Sequence, residues 1–345
     1  MNFKSGFVRL SSVVALTAMS VTSISAQTPP PPLRVVSIGS CPLSSGRTIP
    51  DCRVAYRAYG KLNATRDNVV LIPTWLLGRS EDINSLLTTD PIADTTRFYV
   101  MVVDALSDGN SSSPSNTAAS ARGAFDSLTV GDMVVSQYRM LTERLGIHHL
   151  RAVMGFSMGG MQSIEWAVRY PTFIDRTVPI AGTPSVGTFN KLALSAMLDQ
   201  IVAGKRARIP ADSLWPALAR TEMLFIVTPL GLAARGDDSV AHDIAGNAAN
   251  YRAWNVDDYA AQIAALRRYD LRNEYGDLHR AAARVKAPML AVYSWDDHMV
   301  TPTSMAEFAK MVGADTLSIA SSCGHIMIFC EQKRVSAATR AFIAR

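Results

Sequence analysis

The sequence predicts an α/β fold, a mostly parallel central sheet with helices on both faces and an inserted helical cap, and three observations carry that prediction. Short β-branched runs at residues 68–73, 98–104, 150–155, 177–181, 288–294 and 316–320 alternate with helical patterns. Continuous apolar strands separated by helices belong to parallel sheets covered on both sides. Residues 187–285 show helical periodicity without a strand signal, which reads as the cap. With 48% hydrophobic and 18% charged residues, the chain has the composition of a packed globular protein and not of a disordered or collagen-like one.

These patterns divide the 345 residues into a leader at 1–26, a linker and the start of a hairpin at 27–44, a core formed by 45–186 and 286–345, and the cap at 187–285. In the leader, Lys4 and Arg9 precede a short apolar run at 11–19, and small residues Ser25-Ala26 stand before a proline tract at 29–32. That order is a signal peptide, and the expected location is periplasmic or secreted. No later stretch reaches the roughly 18 apolar residues a spanning helix needs, so no membrane span is expected after the leader is removed. The formal charge of +5 loses two units with Lys4 and Arg9. That balance does not call for nucleic acid, and Lys205, Arg206 and Arg208 read as a solvated face.

Four cysteines suit an exported chain. Cys41 and Cys52 bracket a turn at Ser44-Ser45-Gly46, so an oxidising compartment would close them into a local staple on a hairpin. Cys323 and Cys330 flank His325; a second disulfide and two small buried thiols are equally open readings. Their spacing does not match a zinc pattern, and no metal or cofactor is called for.

The strongest motif is Gly155-Phe156-Ser157-Met158-Gly159. It falls between the strand run at 150–155 and a helix in which Met161, Ile164 and Val168 recur at helical spacing, Glu165 and Arg169 pair four residues apart, and Pro171 ends the pattern. A serine on a sharp strand-to-helix turn presents its hydroxyl, with glycines removing side chains that would collide around it. The hydroxyl is a poor nucleophile until a base stands within reach and a carboxylate orients that base. His325, directly after an apolar run and before the C-terminal helix, is the best placed histidine. His148 and His149 precede the nucleophile strand, and His242, His279 and His298 fall in cap or loop segments. Asp296 and Asp297 both leave the end of a strand, and Asp297 is preferred. The order Ser157, Asp297, His325 is that of the α/β-hydrolase fold.

Beyond this order, the sequence resembles the homoserine O-acetyltransferase family of α/β hydrolases. The resemblance runs through Ser45-Gly46-Arg47-Thr48-Ile49-Pro50-Asp51, Val54-Ala55-Tyr56-Arg57-Ala58-Tyr59-Gly60, Gly131-Asp132-Met133-Val134 with Gln137, and, most specifically, Ser157-Met158-Gly159-Gly160-Met161-Gln162 with Glu165-Trp166-Ala167. It implies an oxyanion hole from the backbone amides of Met158 and of Leu76 in Thr74-Trp75-Leu76-Leu77-Gly78. Trp75 is the competing donor if that loop is shifted by one residue. It also implies substrate contacts at Trp75, Arg235 and the residue after the histidine, and a homodimer as the candidate assembly.

Two departures point away from acyl transfer to an amino acid. Ile326 stands where the resembling family has an aspartate, and the segment Gly231-Leu232-Ala233-Ala234-Arg235 is one residue shorter than the family spacing. An exported enzyme would moreover meet water more readily than an acyl-CoA. The expected activity is therefore hydrolysis of a small-molecule carboxylic ester or thioester through an acyl-serine, with an O-acyltransferase using acyl-CoA and a small hydroxyl acceptor as the alternative. A non-catalytic binding protein on the same scaffold ranks lowest, since all three triad candidates are present.

Overall fold

A computed structural model describes residues 29–345; the segment read as a signal peptide lies outside the described residues. In chain order the strands are β1 (Arg34–Ser37), β2 (Cys41–Pro42), β3 (Thr48–Ile49), β4 (Arg53–Tyr59), β5 (Val69–Pro73), β6 (Tyr99–Val103), β7 (Ala152–Phe156), β8 (Thr177–Ile180), β9 (Leu290–Tyr293) and β10 (Asp315–Ser318). The large sheet has the order β1-β4-β6-β5-β7-β8-β9-β10. Strands β1 and β4 are antiparallel at one edge, and from β6 onward every neighbour is parallel.

The apolar runs form strands here because both faces of the sheet are covered. Every residue of β5 is buried. Val69 and Leu71 join one apolar cluster while Val70 and Ile72 join the cluster on the opposite face, the alternation that a period of two imposes. Among the helices, α1 (Ser85–Thr88) and α2 (Val130–Arg139) precede β7, and α3 (Met158–Arg169) follows it. In α3, Met161, Ile164 and Val168 are buried and Arg169 lies 2.8 Å from Glu165.

Between β8 and β9 the chain is helical: α4 (Thr188–Arg206), α5 (Ala211–Ile226), α6 (Pro229–Arg235), α7 (Asp237–Tyr251), α8 (Val256–Arg268), α9 (Arg272–Tyr275) and α10 (Leu278–Arg284). Trp215 and Tyr259 of this insertion are fully buried, meet at 5.7 Å between ring centroids and join the same apolar cluster as one face of the sheet. The chain ends with α11 (Thr303–Val312), α12 (Met327–Cys330) and α13 (Gln332–Ala344).

Strands β2 and β3 form a separate hairpin around the turn at 43–47. Cys41 and Cys52 are disulfide-bonded across it, and a second disulfide joins Cys323 to Cys330. Among the described residues no single helix is long and apolar enough to cross a membrane.

Candidate active site

Ser157 sits between β7 and α3 with φ 57° and ψ −120°, a backbone state that costs a residue with a side chain about 1–3 kcal/mol. The surroundings hold it there. Its amide donates to the Ile180 carbonyl of β8 at 2.8 Å and its carbonyl accepts from Met161 at 3.0 Å. The flanking glycines are needed for close approach: a Cβ on Gly155 would stand 2.5 Å from the carbonyl carbon of Gly159, and one on Gly159 would overlap the Pro73 carbonyl at the end of β5.

His325 lies on a single turn, Gly324–Ile326, that leads into α12. Its Nε2 is 2.8 Å from Ser157 Oγ and its Nδ1 is 2.7 Å from Asp297 Oδ2. Asp297 comes from the loop after β9, and its other oxygen accepts from the amides of Met299 at 2.9 Å and Val300 at 2.8 Å. With the Nδ1 proton directed at Asp297, Nε2 is free to accept from the serine hydroxyl. Asp296, the other carboxylate at this strand end, turns away and accepts from the Ser321 amide at 3.1 Å. Ser157, Asp297 and His325 are 7%, 2% and 4% exposed, so the three groups interact where water screens them little.

The loop 74–78 lies beside the serine and is fixed by buried amides. Gln162 of α3 donates to the Thr74 carbonyl at 3.0 Å and accepts from Gln137 of α2 at 2.6 Å, while Gln137 accepts from the Trp166 indole at 2.9 Å. Gln262 of α8 accepts from the Leu77 amide at 3.2 Å. Among the described residues the amides of Leu76 and Met158 donate to no protein group. The same holds for the Trp75 amide; the Trp75 side chain packs over Gly78, where a Cβ would stand 2.6 Å from the indole nitrogen.

Two cavities meet at Ser157. The larger, about 840 Å³, is bordered by Trp75, Phe156, His325, Ile326, Phe329 and the insertion residues Glu222, Ile226, Tyr251 and Trp254. The smaller, about 20 Å³, is lined by Leu76, Met161, Val186, Leu194, Leu266, Met299 and Val300 around Ser157, room for about one water-sized group. Phe156 lies against the imidazole with 4.9 Å between centroids, and Trp75 and Phe329 pack edge-on around it.

Of the expected substrate contacts, Trp75 and Ile326 border the larger cavity and Arg235 does not. Arg235 pairs with Asp243 at 2.8 Å and borders an adjoining cavity of about 270 Å³ that Ile326 also touches. Sequence reasoning missed Glu222 and Tyr251, whose side chains are joined by a hydrogen bond from the phenol to the carboxyl. Burial raises the Glu222 carboxyl above its ordinary range, opposed by the Tyr251 hydrogen bond and by His325; burial likewise holds the Tyr251 hydroxyl well above its own. A signal was present. Leu218, Glu222 and Ile226 follow one another at helical spacing, which puts an acid on an apolar stripe.

A family model described as alpha/beta hydrolase fold matches residues 67–331. The chain belongs to the α/β hydrolases. An ethyl acetate hydrolase of Pseudomonas veronii is 42% identical over 154 residues, a match that spans 44% of this chain and 44% of that relative, less than half of either. Homoserine acyltransferases align across most of the chain; that of Geotalea daltonii, a homoserine O-acetyltransferase, is 29% identical over 347 residues, covering 88% of this chain and 94% of its own length. Among solved structures, the acetyl esterase MekB superposes with a TM-score of 0.84 at 27% identity, covering 91% of this chain and 97% of that one.

Proposed function

We propose that this α/β hydrolase cleaves carboxylic esters of short acyl groups through an acyl-serine, with Ser157 as nucleophile, His325 as base and Asp297 as the acid that orients it. The observation that carries the reading is the continuous hydrogen-bonded line from Asp297 Oδ2 through both nitrogens of His325 to Ser157 Oγ. In acylation, His325 Nε2 takes the hydroxyl proton as Ser157 Oγ bonds to the ester carbonyl carbon. The amides of Leu76 and Met158, which have no protein partner among the described residues, receive the oxygen anion of the tetrahedral intermediate, assisted by the N-terminal end of α3. The bond to the alcohol oxygen then breaks and His325 returns its proton to that oxygen. In deacylation, water gives a proton to Nε2 and its oxygen attacks the acyl carbon. Breakdown of the second intermediate frees the carboxylic acid and restores the serine.

The leaving oxygen must lie on the His325 side, because His325 protonates it. That assigns the alcohol portion to the larger cavity, which His325 borders, and the acyl portion to the small chamber, which it does not. An acetyl methyl fits a chamber of about 20 Å³; a long acyl chain does not.

The alternative is acyl transfer to a small hydroxyl acceptor, favoured by the alignment with homoserine O-acetyltransferase over 88% of the chain. The apolar side chain of Ile326 beside the histidine, which cannot accept from an ammonium group, weighs against an amino acid acceptor. Export is part of the proposal: the two disulfides persist in an oxidising compartment and not in the cytosol. Fractionation of cells producing the full chain, with N-terminal sequencing of the product, checks it.

The test of the reaction is rapid mixing with p-nitrophenyl acetate. A burst of nitrophenol equal to the enzyme concentration is expected, with an acetyl group of matching mass on the peptide carrying Ser157, and both disappear in Ser157→Ala. Hydrolysis that survives Ser157→Ala, or a wild-type serine that a fluorophosphonate does not label, overturns the reading. Consumption of acetyl-CoA that rises with an added alcohol would favour the transferase.

A further inference from the structure

Glu222 is an expensive residue to place where it is. Its side chain comes from the inner face of α5, and the residue is 8% exposed. The cavity it borders is lined by Ile226, Ile326, Phe329 and Met299 and also by polar residues such as Arg79, Asn247 and Asn250. A carboxyl in such surroundings needs hydrogen-bond donors, or its burial costs several kcal/mol. One oxygen, Oε2, has a donor in the Tyr251 hydroxyl. Among the described residues nothing donates to the other, Oε1, and Oε1 is not among the buried side-chain oxygens sealed off without a partner. It therefore opens on the cavity that Glu222 and Tyr251 share with Ser157 and His325.

We propose that Glu222, held by Tyr251, is the specificity-determining acceptor for the alcohol half of the ester, and that the preferred substrates are monoesters of diols or polyols, whose second hydroxyl donates to Glu222 Oε1. The assignment rests on the esterase reading above and on its placement of the alcohol in the larger cavity. The carboxylate does no covalent chemistry. It makes one hydrogen bond that an alkyl ester cannot make, and an alkyl ester would bury Oε1 with no donor at all. The penalty on the wrong ligand is the stronger half of the discrimination, because a site built to bind a hydroxyl rejects the analogue that lacks it. Asn247 and Asn250 border the same cavity and offer further polar contacts to a polyol.

The experiment compares kcat/KM for acetates matched in size, butyl against 3-hydroxypropyl and pentyl against 4-hydroxybutyl, in the wild-type chain and two variants. At least one hydroxyalkyl ester is expected to exceed its alkyl partner by about tenfold in the wild type, the scale of a hydrogen bond to a charged group. Glu222→Met should bring that ratio to about one, since the acceptor is replaced by an apolar chain of similar length. Glu222→Gln keeps an acceptor for Tyr251 and guards against a folding defect in the first variant. There the ratio should fall by at least roughly threefold as the bond loses its charge. A role confined to tying α5 to α7 would alter melting temperature and leave the ratio untouched. Wild-type ratios of one for both pairs, or ratios unchanged in both variants, overturn the assignment while leaving the esterase reading intact. Failure of the wild-type chain to hydrolyse any of the four esters refutes the esterase reading, and this assignment with it.

Discussion

Gln162 Nε2 donates to the Thr74 carbonyl at 3.0 Å, which ties the helix that begins beside the nucleophile to the loop that carries the Leu76 amide. Gln162 also takes the donor of Gln137. Removing its amide strands both neighbours in a buried site, at about 1–3 kcal/mol for each unpaired group. Gln162→Leu is expected to lower the melting temperature and, at temperatures where it remains folded, to reduce kcat for an acetate ester by about ten- to a hundredfold with a smaller change in KM, as loss of oxyanion stabilisation does. Steady-state kinetics beside a thermal melt checks this. A kcat within twofold of wild type would mean the loop keeps its place without the tie.

The Cys323–Cys330 disulfide joins cysteines seven positions apart and encloses His325. Opening it lengthens the leash on the base without touching the imidazole. Cys323→Ser/Cys330→Ser should lose about 2 kcal/mol of stability and a several-fold part of kcat. Cys41→Ser/Cys52→Ser, whose hairpin lies away from both cavities, should lower stability and keep kcat. Equal kinetics for the two variants would refute a positioning role.

Leu194 and Leu266 line the small chamber and are nearly fully buried, at 3% and 4% exposed. Truncating either should cost about 2–5 kcal/mol of stability and open room for longer chains. The ratio of kcat/KM for butyrate over acetate esters of one alcohol is expected to rise about tenfold or more in Leu266→Ala, each extra methylene in a fitted pocket being worth about 1–3 kcal/mol. An unchanged ratio would show that the acyl group lies elsewhere.

Asp104 and Asp108 are buried carboxyls whose Oδ1 atoms take backbone amides: Ser80 for Asp104, Asn110 and Ser111 for Asp108. Burial, and then the charge of Asp104, raise the Asp108 carboxyl well above its ordinary value of 3.8; burial raises Asp104 too. The folded chain thus retains a proton that the unfolded chain releases near pH 4. Stability from this pair is fully present below that pH and declines as pH rises towards the elevated folded value. Asp108→Asn, which carries its own hydrogens, should remove that decline and stabilise the chain relative to wild type increasingly as pH rises above the ordinary carboxylate range. Urea unfolding at a series of pH values is the measurement; a parallel pair of curves would exclude the retained proton.

Much of the frame was legible because the physics that fixes it is local. The run at 68–73 is apolar from Val69 onward and becomes β5 over 69–73, and the run at 150–155 becomes β7 over 152–156. The motif around Ser157 carries its own geometry in its glycines. Strands β1 and β4 were not read from periodicity. They lie at the antiparallel edge, where Arg53 and Arg57 interrupt the apolar pattern and Arg34 and Val35 are exposed. Asp297 could be preferred over Asp296 from the sequence, but which of two adjacent carboxylates faces the imidazole depends on a turn closed by the amides of Met299 and Val300. The cavity walls were least legible. Trp215, Trp254 and Tyr259 look alike along the chain, yet Trp215 and Tyr259 fill the interior of the insertion while Trp254 borders the cavity and stacks under Arg79 at 4.5 Å. Side-chain destination there is set by helix packing between segments far apart in sequence.

The chain leaves the sheet at the end of β8 and returns at β9, and these two strands are adjacent, with Ile180 opposite Val292. Just beyond, Ser185 and Val186 bridge to Tyr269 and Asp270. Both roots of the helical stretch therefore emerge side by side, so its length can change without altering the pairing of β8 with β9. Under the proposed function that stretch supplies Glu222 and Tyr251 to the alcohol side and Leu194 and Leu266 to the acyl chamber, while Ser157, Asp297 and His325 lie outside it. Substitutions confined to this one insertion can therefore change which esters are accepted while the reacting groups keep their places.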